Sequence, residues 1–122
     1  VEEKSKPYPQ SPSGTPGVQT LLGVMLNHVN AGCLSLERLV DMMAEGPHRI
    51  HQIASKGRIA LGYDADFTVI DLKARHTITN AEQASKCGWT PFDGTTVTGW
   101  PVMTIIRGHV VMRDGTLQGV PI

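Results

Sequence analysis

"VMTIIRGHVVMRDGTLQGV", residues 102–120, reads as three short strands joined by two tight turns. The runs 102–106, 109–112 and 116–120 are apolar and β-branched, and Arg107-Gly108 and Asp114-Gly115 separate them. Asp-Gly tolerates the positive φ that both central residues of a type I′ hairpin turn require, and Arg-Gly is a weaker form of the same signal. The chain is therefore expected to end in a β-meander. Working back, "ADFTVIDL" (65–72) is another strand, bounded by Gly62 and the polar "KAR" at 73–75, and "HTIT" (76–79) is a short one. Residues 80–95 between them and the meander are expected to be loop, with one helical turn after Asn80.

The first half has a different period. Val18, Leu21, Leu22, Met25, Leu26 and Val29 form the stripe of a core-facing helix that runs from Val18 to about Asn30, with Gly32 to end it. Ser35 is placed as an N-cap, and Glu37 falls in the first turn where the helix dipole favours an anion. Leu36, Leu39, Val40 and Met43 make the second stripe. Gly46-Pro47 is expected to break that helix, with Pro47 starting a short third one through about Gln52. Residues 1–16 carry Pro7, Pro9, Pro12 and Pro16 and no periodicity, so they are loop. Helices first and strands afterwards make an α+β chain.

The totals exclude several classes. With 122 residues the chain is one domain or a piece of a larger one. Formal charge is +0, from 11 basic and 11 acidic residues, and no basic stripe points to nucleic acid. The apolar runs are too short to cross a bilayer. Cys33 and Cys87 lie far apart without a secretory leader, which favours a reduced cytoplasmic setting over a disulfide framework. The opening at Val1, inside a polar proline-rich loop, is that expected of an internal segment of a longer product.

No self-sufficient catalytic set emerges. His48 and His51 are three apart, but no carboxylate on the next turn completes a metal triad and Arg49 is a poor neighbour for a cation. An EF-hand starting at Asp64 would need glutamate at its twelfth position, which is Arg75. His76 and Cys87 are eleven apart, which matches no zinc spacing. Ser13 is not in a Gly-x-Ser-x-Gly elbow, and "SGTPG" lacks the Lys-Ser/Thr of a P-loop. Cys33 is expected to be a small packing residue. The stretch "PSGTPGVQT" (12–20) is different: Gly14 and Gly17 bare the backbone, prolines stiffen it, and the free N–H groups of a helix starting near Val18 would face whatever sits above. A substrate-contacting loop and a plain stiff connector both satisfy that pattern.

"PSGTPGVQT", "KGRIALGYDADFTVID", "SKCGWTPFDG" and "IIRGHVVMRDG", in this order, resemble the C-terminal third of the dihydroorotases, which belong with allantoinases, hydantoinases and dihydropyrimidinases to the cyclic amidohydrolases. The likeness runs from about Val1 to Gly115, and "PGVQT" with "SKCGWTPF" leans it toward dihydroorotase. The resemblance implies a (β/α)8 barrel with a metal centre, usually zinc, and a small β-domain. Residues 1–55 would be the last loop and helices of the barrel, and 56–122 the C-terminal strands of a small β-sandwich. The family's metal ligands and catalytic aspartate precede the matched region, so no catalytic residue and no metal ligand is expected here. Backbone at Ser13 and Gly14 would contact the substrate ring, and "GYDADF" would be a structural turn leading into a strand.

The implied activity is reversible hydrolysis of the cyclic amide of dihydroorotate to N-carbamoyl-aspartate, in pyrimidine biosynthesis. The implied partners are the remainder of the same polypeptide, the small cyclic amide, and either further copies of the protein or aspartate carbamoyltransferase. Two alternatives stand beside it. One is another cyclic amidohydrolase, an allantoinase or hydantoinase. The other is a non-catalytic dihydroorotase-like partner of aspartate carbamoyltransferase.

Overall fold

The computed structural model describes residues 2–119. Helices come first: α1 (Leu21–Asn30), α2 (Leu36–Val40), a π-helical turn (Asp41–Glu45) and α3 (Gly46–His51). Four strands follow: β1 (Phe67–Thr77), β2 (Thr96–Ile106), β3 (His109–Arg113) and β4 (Thr116–Leu117). Short 3-10 turns lie at Glu2–Ser5 and Asn80–Glu82, the second at the expected place after Asn80. The strands form one antiparallel sheet in the order β1-β2-β3-β4. The α+β expectation and the terminal meander are both met.

Both hairpin turns take the backbone their residues invite. Arg107 and Gly108 have φ of 48° and 81°, Asp114 and Gly115 of 49° and 76°, all in the left-handed region a type I′ turn needs. β4 is shorter than the expected 116–120, since its pairing covers Thr116–Leu117, and Val120 lies outside the described residues.

Two boundaries in the sheet differ from expectation. "KAR" does not divide two strands but bulges within β1. Asp71 pairs with Trp100 and Arg75 with Thr98, so four steps on β1 face two on β2. Asp71 Oδ1 accepts from the N–H groups of Lys73 at 2.8 Å and Ala74 at 3.2 Å, which replaces the ladder bonds the bulge forgoes. β2 starts six residues before the expected Val102, because Gly99 and Pro101 hide its pattern. Pro101 pairs with Ile70 beside a register shift, where a missing N–H is tolerated. Gly99 has φ 98°, and a Cβ there would lie 2.7 Å from Leu26 Cβ, so only glycine lets α1 come this close.

Pro47 does not break the second helix. The ladder widens by one residue ahead of it, with Gly46 N–H bonded to the Asp41 carbonyl, and helical backbone continues into α3 with Pro47 in its first turn. A widened turn relieves the clash between the proline ring and the preceding turn. The Ser35 cap is as expected, its hydroxyl accepting from Arg38 N–H at 3.1 Å. α1 begins at Leu21, not Val18: the N–H groups of Thr20 and Leu21 bond to the Gly17 carbonyl in a preceding turn, and Val18 is 98% exposed.

The core is small. Leu26, Leu39, Ile78 and Val97 are its buried apolar side chains among the described residues. α1 lies on β2, where Asn27 Oδ1 accepts from Thr98 N–H at 3.0 Å and Asn30 Nδ2 donates to the carbonyls of Thr98 at 2.9 Å and Leu72 at 3.1 Å. Part of each expected stripe faces out: Val18, Leu21, Val40 and Met43 are exposed. Cys33, expected to pack, is exposed as well.

Candidate functional site

The opening loop is organised by a residue that precedes it. Lys4, in the turn Glu2–Ser5, places its Nζ 2.5 Å from the carbonyl oxygen of Pro12, 2.7 Å from that of Ser13 and 2.6 Å from that of Gly14. Three successive carbonyls converge on one ammonium. Gly14 makes this possible with φ 98°, a conformation closed to most side chains.

This loop forms one wall of an open hollow of about 280 Å³, lined by Lys4, Ser13, Gly14, Thr15, Pro16, Cys87 and Trp89. The opposite wall comes from "SKCGWTPF", more than seventy residues further along the chain. Gln19 holds the two walls together. Its Nε2 donates to the Glu82 carbonyl and its Oε1 accepts from Ala84 N–H, both at 2.9 Å. The segment beyond is tied down by Asn80, whose Oδ1 accepts from Thr90 N–H at 2.8 Å and whose N–H donates to Asp93 Oδ1 at 2.7 Å.

Cys87 Sγ lies 3.0 Å from Ser85 Oγ and 3.6 Å from the Trp89 carbonyl. The Ser85 hydroxyl, and after it backbone hydrogen bonding at Trp89, Cys87 and Gly88, holds the thiol below its ordinary pKa, against the opposing effect of burial. A thiol proton given to the Trp89 carbonyl would favour the protonated form, but at 3.6 Å that contact is the weaker one.

Ser13 and Gly14, the residues singled out from sequence, therefore do sit at a concave surface. Of the N–H groups expected from a helix start near Val18, those of Thr20 and Leu21 are taken by the Gly17 carbonyl. Lys4, Cys87 and Trp89 were not assigned to the site from sequence. Cys87 and Trp89 lie in the segment "SKCGWTPF" that carries the resemblance, and Lys4 lies within the likeness that begins at about Val1.

The other polar clusters are structural. Lys56 Nζ bridges Asp64, at 2.7 Å, and Asp66, whose second oxygen accepts from Arg107 N–H at 2.7 Å. Gly108 N–H donates to the Ala65 carbonyl at 2.9 Å, so "GYDADF" is pinned to the β2–β3 turn just before β1 begins. His48 Nδ1 is engaged by the Ile53 carbonyl. Among the described residues no three His, Cys, Asp or Glu side chains stand close enough to share a metal ion, and no helix is long and apolar enough to cross a membrane.

Comparison with known proteins follows the same segments. The model described as "Amidohydrolase family" matches residues 17–111. A dihydroorotase of Methanothermobacter thermautotrophicus is 50% identical over 98% of this chain and 28% of its own length. An L-hydantoinase of Paenarthrobacter aurescens is 43% identical over 84% of this chain and 23% of its own. The solved L-hydantoinase (dihydropyrimidinase) from Arthrobacter aurescens superposes with a TM-score of 0.85 at 39% identity, covering 90% of this chain and 25% of that one. The chain thus spans about a quarter of the length of the relatives it matches.

Proposed function

Because this chain belongs to the amidohydrolase family, we propose that it is the C-terminal part of a dihydroorotase, the enzyme that reversibly hydrolyses dihydroorotate to N-carbamoyl-aspartate in pyrimidine biosynthesis. The observation that carries this reading is the meeting of two distant segments, the Ser13-Gly14 loop and Cys87-Gly88-Trp89, in one hollow. The 50% identity to a dihydroorotase covers both of them. In this reading residues 1–55 close a (β/α)8 barrel and residues 56–122 contribute strands to a small β-sandwich. The barrel core would be supplied by the remainder of the same polypeptide, in a cytoplasmic enzyme that works as a homo-oligomer or with aspartate carbamoyltransferase.

The role open to this segment is orientation. Backbone at Ser13 and Gly14 holds the polar rim of the cyclic amide, and the fixed loop supplies positioning, not bond cleavage. The zinc implied by the resemblance finds no ligand set among the described residues, and its ligands would come from the remainder of the polypeptide. Hydantoin hydrolysis is the second reading, favoured by the TM-score of 0.85 to an L-hydantoinase.

The test is turnover of dihydroorotate, hydantoin and allantoin by the full-length protein, beside its Gly14→Val variant. Dihydroorotate turnover that Gly14→Val abolishes, with the fold retained, is the expected outcome. Hydantoin turnover without dihydroorotate turnover would select the second reading. No turnover of any cyclic amide would support the non-catalytic alternative.

A further inference from the structure

The three carbonyls around Lys4 say something about the N–H groups beside them, given the substrate-loop reading above. A primary ammonium has three donors and no acceptor. Those of Lys4 are used on the carbonyls of Pro12, Ser13 and Gly14. In a trans peptide the C=O of one residue and the N–H of the next point to opposite sides of the same plane, and the peptides here are trans. Drawing the carbonyls of residues 12–14 toward one Nζ therefore turns the N–H groups of Ser13, Gly14 and Thr15 away from it. Among the described residues none accepts from these three N–H groups.

We infer that Lys4 is a positioning residue for substrate binding: its ammonium gathers three carbonyls, and so presents the N–H groups of Ser13, Gly14 and Thr15 as a row of donors for the carboxylate or ring carbonyl of a cyclic amide. Lys4 itself does not touch the substrate in this arrangement, because its donors are already occupied. The cation also polarises the three peptide groups, which makes their N–H ends better donors. Without it, three adjacent carbonyl dipoles held side by side would repel, and Gly14 would leave its left-handed conformation.

The experiment uses the full-length protein and the cyclic amide it turns over. Lys4→Met removes every donor, and Lys4→Arg keeps the charge and the donors. A hydrogen-bond network to a charged group is worth enough that Lys4→Met should raise KM about tenfold or more, with kcat changed by less than about threefold and Tm held. Lys4→Arg should recover most of that loss. A Lys4→Met enzyme with the parent's KM overturns the inference, and so does one whose loss follows a fall in Tm and is not recovered by Lys4→Arg.

Gly14→Val, measured in parallel, separates the two claims. If Gly14→Val keeps full turnover, the substrate-loop reading itself fails. If Gly14→Val loses turnover while Lys4→Met does not, only the role of Lys4 fails.

Discussion

The imidazole of His76 lies flat on the indole of Trp100, with ring centroids 3.8 Å apart and planes inclined by 19°. Its Nε2 meets Glu82 Oε2 at 2.8 Å, and the other oxygen of that carboxylate accepts from Thr79 N–H at 3.0 Å. Trp100 also meets Gly23, where a Cβ would come within 2.3 Å of the ring. One indole thus joins β1, β2 and α1, and the carboxylate passes the connection on to the loop that carries Cys87.

Gly23→Ala should act as a wedge. The added methyl must displace Trp100, and overpacking of this kind costs about 1–3 kcal/mol. The urea midpoint of the full-length protein should fall while the m-value stays constant. An unchanged midpoint would mean that the indole yields freely and does not anchor α1.

Gly99→Ala should cost more than an ordinary glycine replacement in a strand. Its φ of 98° is strained for any side chain, and the new methyl would lie 2.7 Å from Leu26 Cβ, at the buried centre of α1. Strain of this sort is worth about 1–3 kcal/mol before any clash is counted. Equal stability of Gly99→Ala and the parent in thermal melts would contradict the close approach of helix and strand.

The Lys56 bridge predicts two pH limits. The hydrogen bond from Lys56, and after it the Arg107 N–H, hold the Asp66 carboxyl below its ordinary 3.8. Its folded-state pKa is depressed, so the stability it contributes is present above 3.8 and is lost as pH falls through the lower folded value. Lys56 is the opposite case. Hydrogen bonds to Asp64 and then Asp66 raise it above 10.5, so its contribution is intact below 10.5 and is lost as pH climbs through the raised value. Melting temperatures of Lys56→Met should therefore fall less steeply than the parent's at both ends. Parallel curves across both limits would remove the bridge from the account.

Cys87 should be alkylated by iodoacetamide at lower pH than an ordinary thiol with pKa 9.0. Ser85→Ala removes the largest cause of the shift and should move the rate profile upward in pH. Carboxamidomethyl-Cys87 would also crowd the hollow facing Gly14, so substrate turnover by the full-length protein should fall with the extent of labelling. Labelling of Cys87 without loss of turnover would place the substrate elsewhere.

The elements that could be read from the sequence were those set by neighbours in the chain. Asp114-Gly115 and the Ser35 cap act within a few residues, so pattern alone locates them, and the Val18–Val29 stripe locates α1 but not its start at Leu21. What could not be read depends on contacts made across the chain. Gly99 and Pro101 break the β pattern of β2, and nothing local reveals that the first admits α1 and the second sits at a register shift. The same holds at the site. "PSGTPGVQT" marks a stiff, bare loop, and the resemblance points to Ser13 and Gly14. Lys4 is a plain exposed lysine until its three carbonyl partners are seen, and Cys87 meets the loop only because Gln19 holds the two segments together.

Gln19 bonds to Glu82 and Ala84 across 63 and 65 residues of intervening chain. Contacts this distant in sequence require closure of a long loop that holds the helices and β1, and closing it carries an entropic cost. The contact of α1 with β2 spans more still, 71 residues from Asn27 to Thr98, so the hollow and the helix–sheet seam share that cost. Both Gln19 bonds are exposed, so the amides around the hollow should exchange with deuterium sooner than those of the β1–β2 ladder.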